Sequence, residues 1–407
     1  MSGAVPKLRF DGFAGEWTNI PLSNLISALD AGVSVNSGDR PAFAFEKSVL
    51  KTSCVTLGRF DLEENKVVED PNEITRLKEA VSKNTVIISR MNTPQLVGAN
   101  AFVAEDAPTA FLPDRLWAAK ISAKADPSWV GHLLAHPVTR ASFSDRATGT
   151  SGTMKNLTKD AVLSLEVIAP TLPEQQKIAA FLGAMDGRLA GLRQTEAALT
   201  RFKAGLMQRL FSQKLRFTQD NGSAFPDWEE KRLGDVFTER SERGNTDGEL
   251  LSVTMHSGVV RAVDANRANG ASADLSNYKT VEVDDIAYNS MRMWQGANGV
   301  SRYSGIVSPA YTVILSKIPQ IMGFWGYYFK LPTVIFLFER NSQGLTSDTW
   351  NLKFPALATI QLPIPHPEEQ RKIAAALSAL DAKIAATALQ ITQTERFKQG
   401  LLQQMFV

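Results

Sequence analysis

The sequence is poor in the groups that most enzymes use for chemistry. Its 407 residues include one cysteine, Cys54, and four histidines. A single thiol excludes an intramolecular disulfide and any zinc site built on several thiolates, and Cys54 reads as a small buried residue. His132 and His136 stand four apart in a helical stretch. Leu133 occupies the place where a zinc protease carries glutamate, so the pair reads as packed rather than metal-ligating. The chain has no Gly-rich strand-turn-helix loop for a methyl donor, no NPP-type tetrapeptide and no Gly-x4-Gly-Lys phosphate loop. The nuclease letters Pro-Asp … Glu-x-Lys occur crowded together at Pro226 to Lys231, and Glu64-Asn65-Lys66 lacks the upstream partner. No catalytic or metal site is expected. A long unbroken apolar run is missing too. Ile321 to Phe338 comes nearest, but Lys330 and Pro332 interrupt it, and it reads as a buried helix followed by a core strand. With no charged-then-apolar leader, the expected location is cytoplasmic.

What the chain does have is duplication, which decides the fold before any other signal. Pro170 to Phe211 and Pro365 to Phe406 superpose without a gap at an offset of 195 residues, with 18 of 42 positions identical. The matches include Glu174 with Glu369, Gln175 with Gln370, Lys177 with Lys372 and Asp186 with Asp381. Arg201-Phe202-Lys203 with Gly205-Leu206 returns as Arg396-Phe397-Lys398 with Gly400-Leu401. The openings repeat as well: PKLRF (Pro6 to Phe10) leads to Trp17, and QKLRF (Gln213 to Phe217) leads to Trp228. Because the sequence leaving the first repeat resembles the one that opens the chain, the C-terminus is expected near the N-terminus, as in a cut circle.

Each repeat reads as one long helix. Ile178, Leu182, Met185, Leu189, Leu192, Leu199, Leu206 and Leu210 recur at spacings of four and three, as do Ile373, Leu377, Leu380, Ile384, Ile391, Leu401 and Met405. That seam predicts a coiled-coil-like pairing. Thr171 with Glu174 fits a capping box, and Pro367 suits a first helical position. Each helix would be about 57 Å long. Gly183, Gly187 and Gly191 fall four apart and match Ser378, Ala382 and Ala386. Glycine inside a helix is destabilising. The small-residue stripe therefore implies a close approach, either between the two helices of this chain, which is preferred, or to a separate subunit.

Ahead of each helix lie turn-bounded β-branched runs: Thr85 to Ser89 and Leu163 to Pro170 in the first half, and Asp284 to Ser290, Ala310 to Ser316 and Thr359 to Pro365 in the second. Helices are expected at Ser128 to Pro137 and Gly323 to Pro332. The gapless correspondence spans Pro137/Pro332, Gly149/Gly344 and Asn156-Leu157/Asn351-Leu352. Upstream of it the halves diverge, apart from islands such as Gly98-Ala99-Asn100 and Gly296-Ala297-Asn298.

The twin P-x-x-x-E-Q-x-K-I-A helices, the RFK-x-GL endings and the KLRF … W openings resemble the DNA-specificity subunits of type I restriction–modification systems, over essentially the whole chain. The resemblance implies an α+β chain with two mixed α/β globular target-recognition domains separated by two long antiparallel helices forming a coiled coil, a pseudo-twofold internal repeat. Its domains would be 1–165 and 213–362 for recognition, and 166–212 and 363–407 for the conserved helical regions. Each recognition domain would read one half of a bipartite double-stranded DNA target. The helices would set the spacer and dock methyltransferase (modification) subunits, two in number, with restriction/translocase subunits completing the complex. The chain itself would be non-catalytic and would hold no cofactor. S-adenosylmethionine, ATP and magnesium would be used by the partner subunits for adenine-N6 methylation, translocation and cleavage. A related possibility is the recognition subunit of a type II-like enzyme. A combined nuclease–methyltransferase is disfavoured by the missing motifs, and a purely structural coiled coil by the large, divergent heads.

Base edges are read by side chains such as Arg, Lys, Asn, Gln, Ser and Thr. The candidate loops are those placed alike in the two halves but lettered differently: Ser89 to Gln95 and Phe143 to Ser151, then Ser290 to Asn298 and Glu339 to Asp348. They nominate Arg90, Asn92, Arg146 and Thr148 in the first half, and Arg292, Gln295, Arg340, Asn341 and Gln343 in the second. Trp294 reads as an anchor for its loop.

Overall fold

The structure, a computed structural model, describes residues 5–56, 58–149, 153–265, 274–318, 320–346 and 349–407. Two helices dominate it, Leu172–Phe211 and Pro367–Met405, the second opening on its proline as expected. The chain divides into two compact units. The first comprises residues 1–194 and 389–407, the second residues 195–388, so each takes in part of both long helices.

In the first unit the largely β-branched Thr85–Ser89 is buried along its whole length and lies central in a four-stranded antiparallel sheet. It pairs with Asn100–Val103 on one side and Leu116–Ile121 on the other, and Leu116–Ile121 pairs in turn with Ile26–Ala31. A second sheet of four short strands includes a parallel pairing, between Ser48–Leu50 and Ala107–Phe111. The second unit repeats the antiparallel sheet. Ile286–Asn289 sits between Asn298–Val300 and Tyr311–Ser316, and Tyr311–Ser316 pairs with Phe237–Glu239. A two-stranded ribbon precedes the long helix in each unit, Thr18–Pro21 with Glu166–Ala169 and Glu229–Arg232 with Gln361–Ile364. Thus the five turn-bounded β-branched runs form strands, within a few residues at their ends.

The repeated letters are explained by a repeated cluster. In the first unit the buried Glu174 carboxylate accepts a two-pronged pair of bonds from Arg9, at 2.7 and 2.8 Å, and a third from the Trp17 indole at 3.3 Å. In the second, Glu369 accepts from Arg216 at 3.0 and 2.8 Å and from Trp228 at 3.2 Å. Glu174 therefore does not close a capping box with Thr171, because its carboxylate is turned to the KLRF arginine. The next glutamine completes the corner. Gln175 and Gln370 donate to the carbonyls of Pro170 and Pro365, both at 2.9 Å. Each also accepts from the start of the preceding helical segment, at Asp126 and Ile321.

Within each unit the helix portions run antiparallel. In the first, Asp186 pairs with Lys398 at 2.5 Å and Arg193 with Glu395. In the second, Asp381 pairs with Lys203 at 2.6 Å. The aspartate of one repeat thus meets the lysine of the other, which accounts for their identity at the 195 offset. Ile178, Leu182, Leu401 and Met405 enter the first unit's core, and Leu210, Ile373 and Leu377 the second's. The cut circle holds inside the first unit. Leu8 N–H donates to Gln404 O at 2.9 Å, the counterpart of the Leu215 N–H to Arg209 O bond of 3.1 Å that the continuous chain makes in the second unit.

Two expectations are corrected. Residues 321–338 form two helices, Met322–Tyr328 and Pro332–Arg340, rather than a helix and a strand. Pro332 supplies the preset φ of a first helical turn, and Val334 and Phe338, four apart, are buried while Phe336 is 54% exposed. The small-residue stripe does not lie between the two helices. Gly183, Gly187, Gly191, Ser378, Ala382 and Ala386 are all exposed, and a Cβ added at any of the three glycines would meet nothing within 4 Å.

Among the described residues one helix, Pro367–Met405, is long and apolar enough to cross a membrane by length and composition alone. Its apolar character owes much to alanine, and it carries the paired Asp381 and Lys398.

Candidate nucleic-acid interface

The central strand of each unit runs straight into a candidate loop, and a backbone bridge joins that loop to the second one. In the first unit Met91–Asn92 pairs with Lys155–Asn156, and Leu157 N–H donates to Arg90 O at 2.8 Å. Asn156 and Thr148 exchange backbone bonds of 2.9 and 2.7 Å. The second unit repeats this: Leu352 N–H donates to Ser290 O at 2.9 Å, and Asn351 and Gln343 exchange bonds of 3.0 and 2.8 Å. The fold therefore brings the two divergent loops of each half to one edge. Thr150, Ser151, Ser347 and Asp348 of these loops lie outside the described residues.

The nominated side chains separate by what they already hold. The Arg90 guanidinium lies 5.8 Å from the centre of the Trp117 ring, and its buried Nε has no hydrogen-bond partner. Thr148, Arg292, Gln295, Arg340 and Gln343 are exposed. Arg340 rests over Phe336, 5.9 Å from the ring centre. Three others serve the protein. Arg146 donates to Ala161 O at 3.3 Å and Ser164 Oγ at 3.2 Å, tying down the helix Lys159–Leu163. Asn92 bonds Ser89 Oγ and the Thr93 N–H, closing its own turn. Asn341 donates to Leu337 O at 2.8 Å at the end of its helix. These arrangements weaken their nomination as base readers. Trp294 donates to Met291 O at 3.1 Å and meets Trp350 edge-on at 5.2 Å, so it does anchor its loop.

The loop comparison passed over Asn156 and Asn351. In both units the side-chain Oδ1 of this asparagine is buried without a partner. The available signal is the identical pair Asn156-Leu157 and Asn351-Leu352, which follows six positions that all differ.

Among the described residues no group of three or more His, Cys, Asp or Glu is placed to hold a metal ion. His132 lies 3.8 Å from Asp186, and burial pushes its imidazole down to about 4, with Lys398 adding to the effect. The Cys54 thiol is buried and pushed up to about 12 by that burial, so it stays protonated.

A second exposed surface runs along the long helices. At 3.6 residues per turn, Gly183, Gly187, Gly191, Phe202 and Gly205 share one side of the first helix, and Ser378, Ala382, Ala386, Phe397 and Gly400 the same side of the second. Phe202 and Phe397 are 61% and 60% exposed, large apolar groups standing at equivalent places in stripes of small ones.

Residues 226–395 match the family model described as the type I restriction modification DNA specificity domain. The fold is also similar to that of solved chains. One, described as the crystal structure of a type I restriction–modification system S subunit from M. genitalium, is 18% identical, with 99% of each chain covered and a TM-score of 0.60. Another, from a structural study of complex assembly and conformational transition of the type I R-M system, is 17% identical, covering 96% of this chain and 97% of that one, with a TM-score of 0.51.

Proposed function

From the type I restriction modification DNA specificity domain that residues 226–395 carry, we infer that this chain is the non-catalytic DNA sequence-specificity subunit of a type I restriction–modification complex. That match is the observation that carries the reading, and the repeated sheet, loop bridge and Arg–Glu–Trp cluster support extending it to the first half. Each unit reads one half of a split target through the edge where its two divergent loops meet. Phosphate contacts position the units, and base-edge contacts specify the sequence. The two long helices, each with one end in either unit's core, set the spacer between the half-sites.

The small-residue faces bearing Phe202 and Phe397 dock modification subunits. Their equivalence on the two repeats favours two copies of one partner. An exposed Phe flanked by residues without bulky side chains lets a partner helix approach closely. Adenine methylation with S-adenosylmethionine, and ATP- and magnesium-dependent restriction, belong to the partner subunits. The matched family is a type I one, which favours that system over a type II-like alternative.

Exchanging residues 213–362 for the corresponding segment of a relative tests the division of labour. The methylated motif should keep one half and acquire a new second half. A motif altered in both halves, or in neither, would show that the units do not read independently.

A further inference from the structure

The carbonyl that ends the candidate turn is held differently in the two units. In the first, Gly98 (φ +74°) closes the turn, and its carbonyl accepts from Asn100 Nδ2 at 3.0 Å; the same amide group donates to Leu134 O at 2.9 Å. In the second, Gly296 (φ +81°) closes the short 3-10 turn Met293–Gln295. The equivalent Asn298 donates its side-chain amide to Phe329 O at 3.4 Å, and the Gly296 carbonyl accepts from the Asn298 N–H at 2.9 Å and from Lys330 Nζ at 2.6 Å. Lys330 Nζ also donates to Met255 O at 2.8 Å, in the turn that joins Leu251–Thr254 to Gly258–Arg261. At the 195 offset the first unit has Ala135, which has no such group.

Lys330 is an unusual tether. It is half-buried, and burial alone pulls its ammonium down to about 8. No carboxylate appears among its partners, only the two carbonyls. A buried lysine without a counter-charge costs stability, and an ordinary surface lysine would leave its head in water. What it achieves is to fasten the hairpin turn and the candidate recognition turn to one point between the helices Met322–Tyr328 and Pro332–Arg340. Arg292 and Gln295, exposed on that turn, lie four residues and one residue before the fastened Gly296 carbonyl. Base readout needs side chains held within a fraction of an ångström.

We propose that Lys330 is a positioning residue that sets the base preference of the second unit, and that the first unit's preference has no such dependence. The proposal rests on the reading of the second unit as a DNA reader. The test uses the full chain in complex with its modification subunit. Wild type, Lys330→Met and Lys330→Gln are each selected on duplex pools randomised in both half-sites, and thermal unfolding is followed in parallel. The methionine variant keeps the side-chain length and removes the desolvated charge, at the cost of the donor to the Met255 and Gly296 carbonyls. The expected result is about a tenfold loss of discrimination at one or more second-half positions, with Gln intermediate and the first-half profile unchanged.

Three results overturn the proposal while leaving the DNA-reading function standing: an unchanged second-half profile, an equal loss at both half-sites, or failure of both variants to fold, which would make Lys330 a scaffold residue. If wild type itself selects no split motif, the functional reading fails instead.

Discussion

A chain ended after Gly400 loses the first unit's native structure and keeps the second's. The deletion removes Leu401, Met405 and Phe406, all buried in the first unit's core. Phe406 stacks on Trp129 at 5.9 Å and on His136 at 5.8 Å. Deletion also removes the Leu8–Gln404 bond that docks the N-terminal strand of chain. Each large apolar group taken from a core costs about 2–5 kcal/mol, so three together rival the roughly 5–15 kcal/mol that holds a domain folded. Hydrogen exchange read by mass spectrometry should show residues 5–170 losing protection while 229–364 retain it. Protection of the first unit at wild-type levels would mean that the C-terminal residues are an accessory and the cut-circle account is wrong.

Arg216→Met has the next largest effect. Glu369 is fully buried and relies on Arg216 for two of its three side-chain bonds. Removing the guanidinium leaves an uncompensated buried carboxylate, a loss of about 3 kcal/mol, taken at the low end of the range because Arg216 keeps 22% of its side-chain surface exposed. In urea the second unit's midpoint should fall accordingly. Arg216→Met with Glu369→Met should recover most of the loss, since an apolar pair in place of a buried ion pair is often neutral. A single variant within about 0.5 kcal/mol of wild type would show that the Arg216–Glu369 pair does not hold the second unit together.

Much of this architecture was legible in the letters. Helices and strands announced themselves through period and turn residues, and the duplicated Arg, Trp, Glu, Asp and Lys marked contacts made twice. Their partners were not legible. Glu174 satisfies a local capping pattern, yet its carboxylate goes to Arg9, 165 residues away, because a charged arginine competes better than a backbone N–H. Val334 to Phe338 has β-branched and aromatic letters, but the proline two residues before Val334 and the four-residue spacing of Val334 and Phe338 make it a helix.

The glycine stripe was legible as a feature and not as a direction, since spacing places residues on a face without saying what covers it. The candidate interface was half legible. Matched placement singled out loops that the fold brings together, but whether Arg146 or Arg90 remains available depends on neighbours such as Ser164 and Trp117, which only the fold supplies.

The most direct test of the central claim is a methylation map. This chain and its modification subunit are expressed in a host lacking adenine methylation, and N6-methyladenine is read across the genome by long-read sequencing. The account predicts one split motif, two unlike short sequences around a spacer of fixed length. A continuous motif, or methylation without sequence preference in a stable complex, would contradict it.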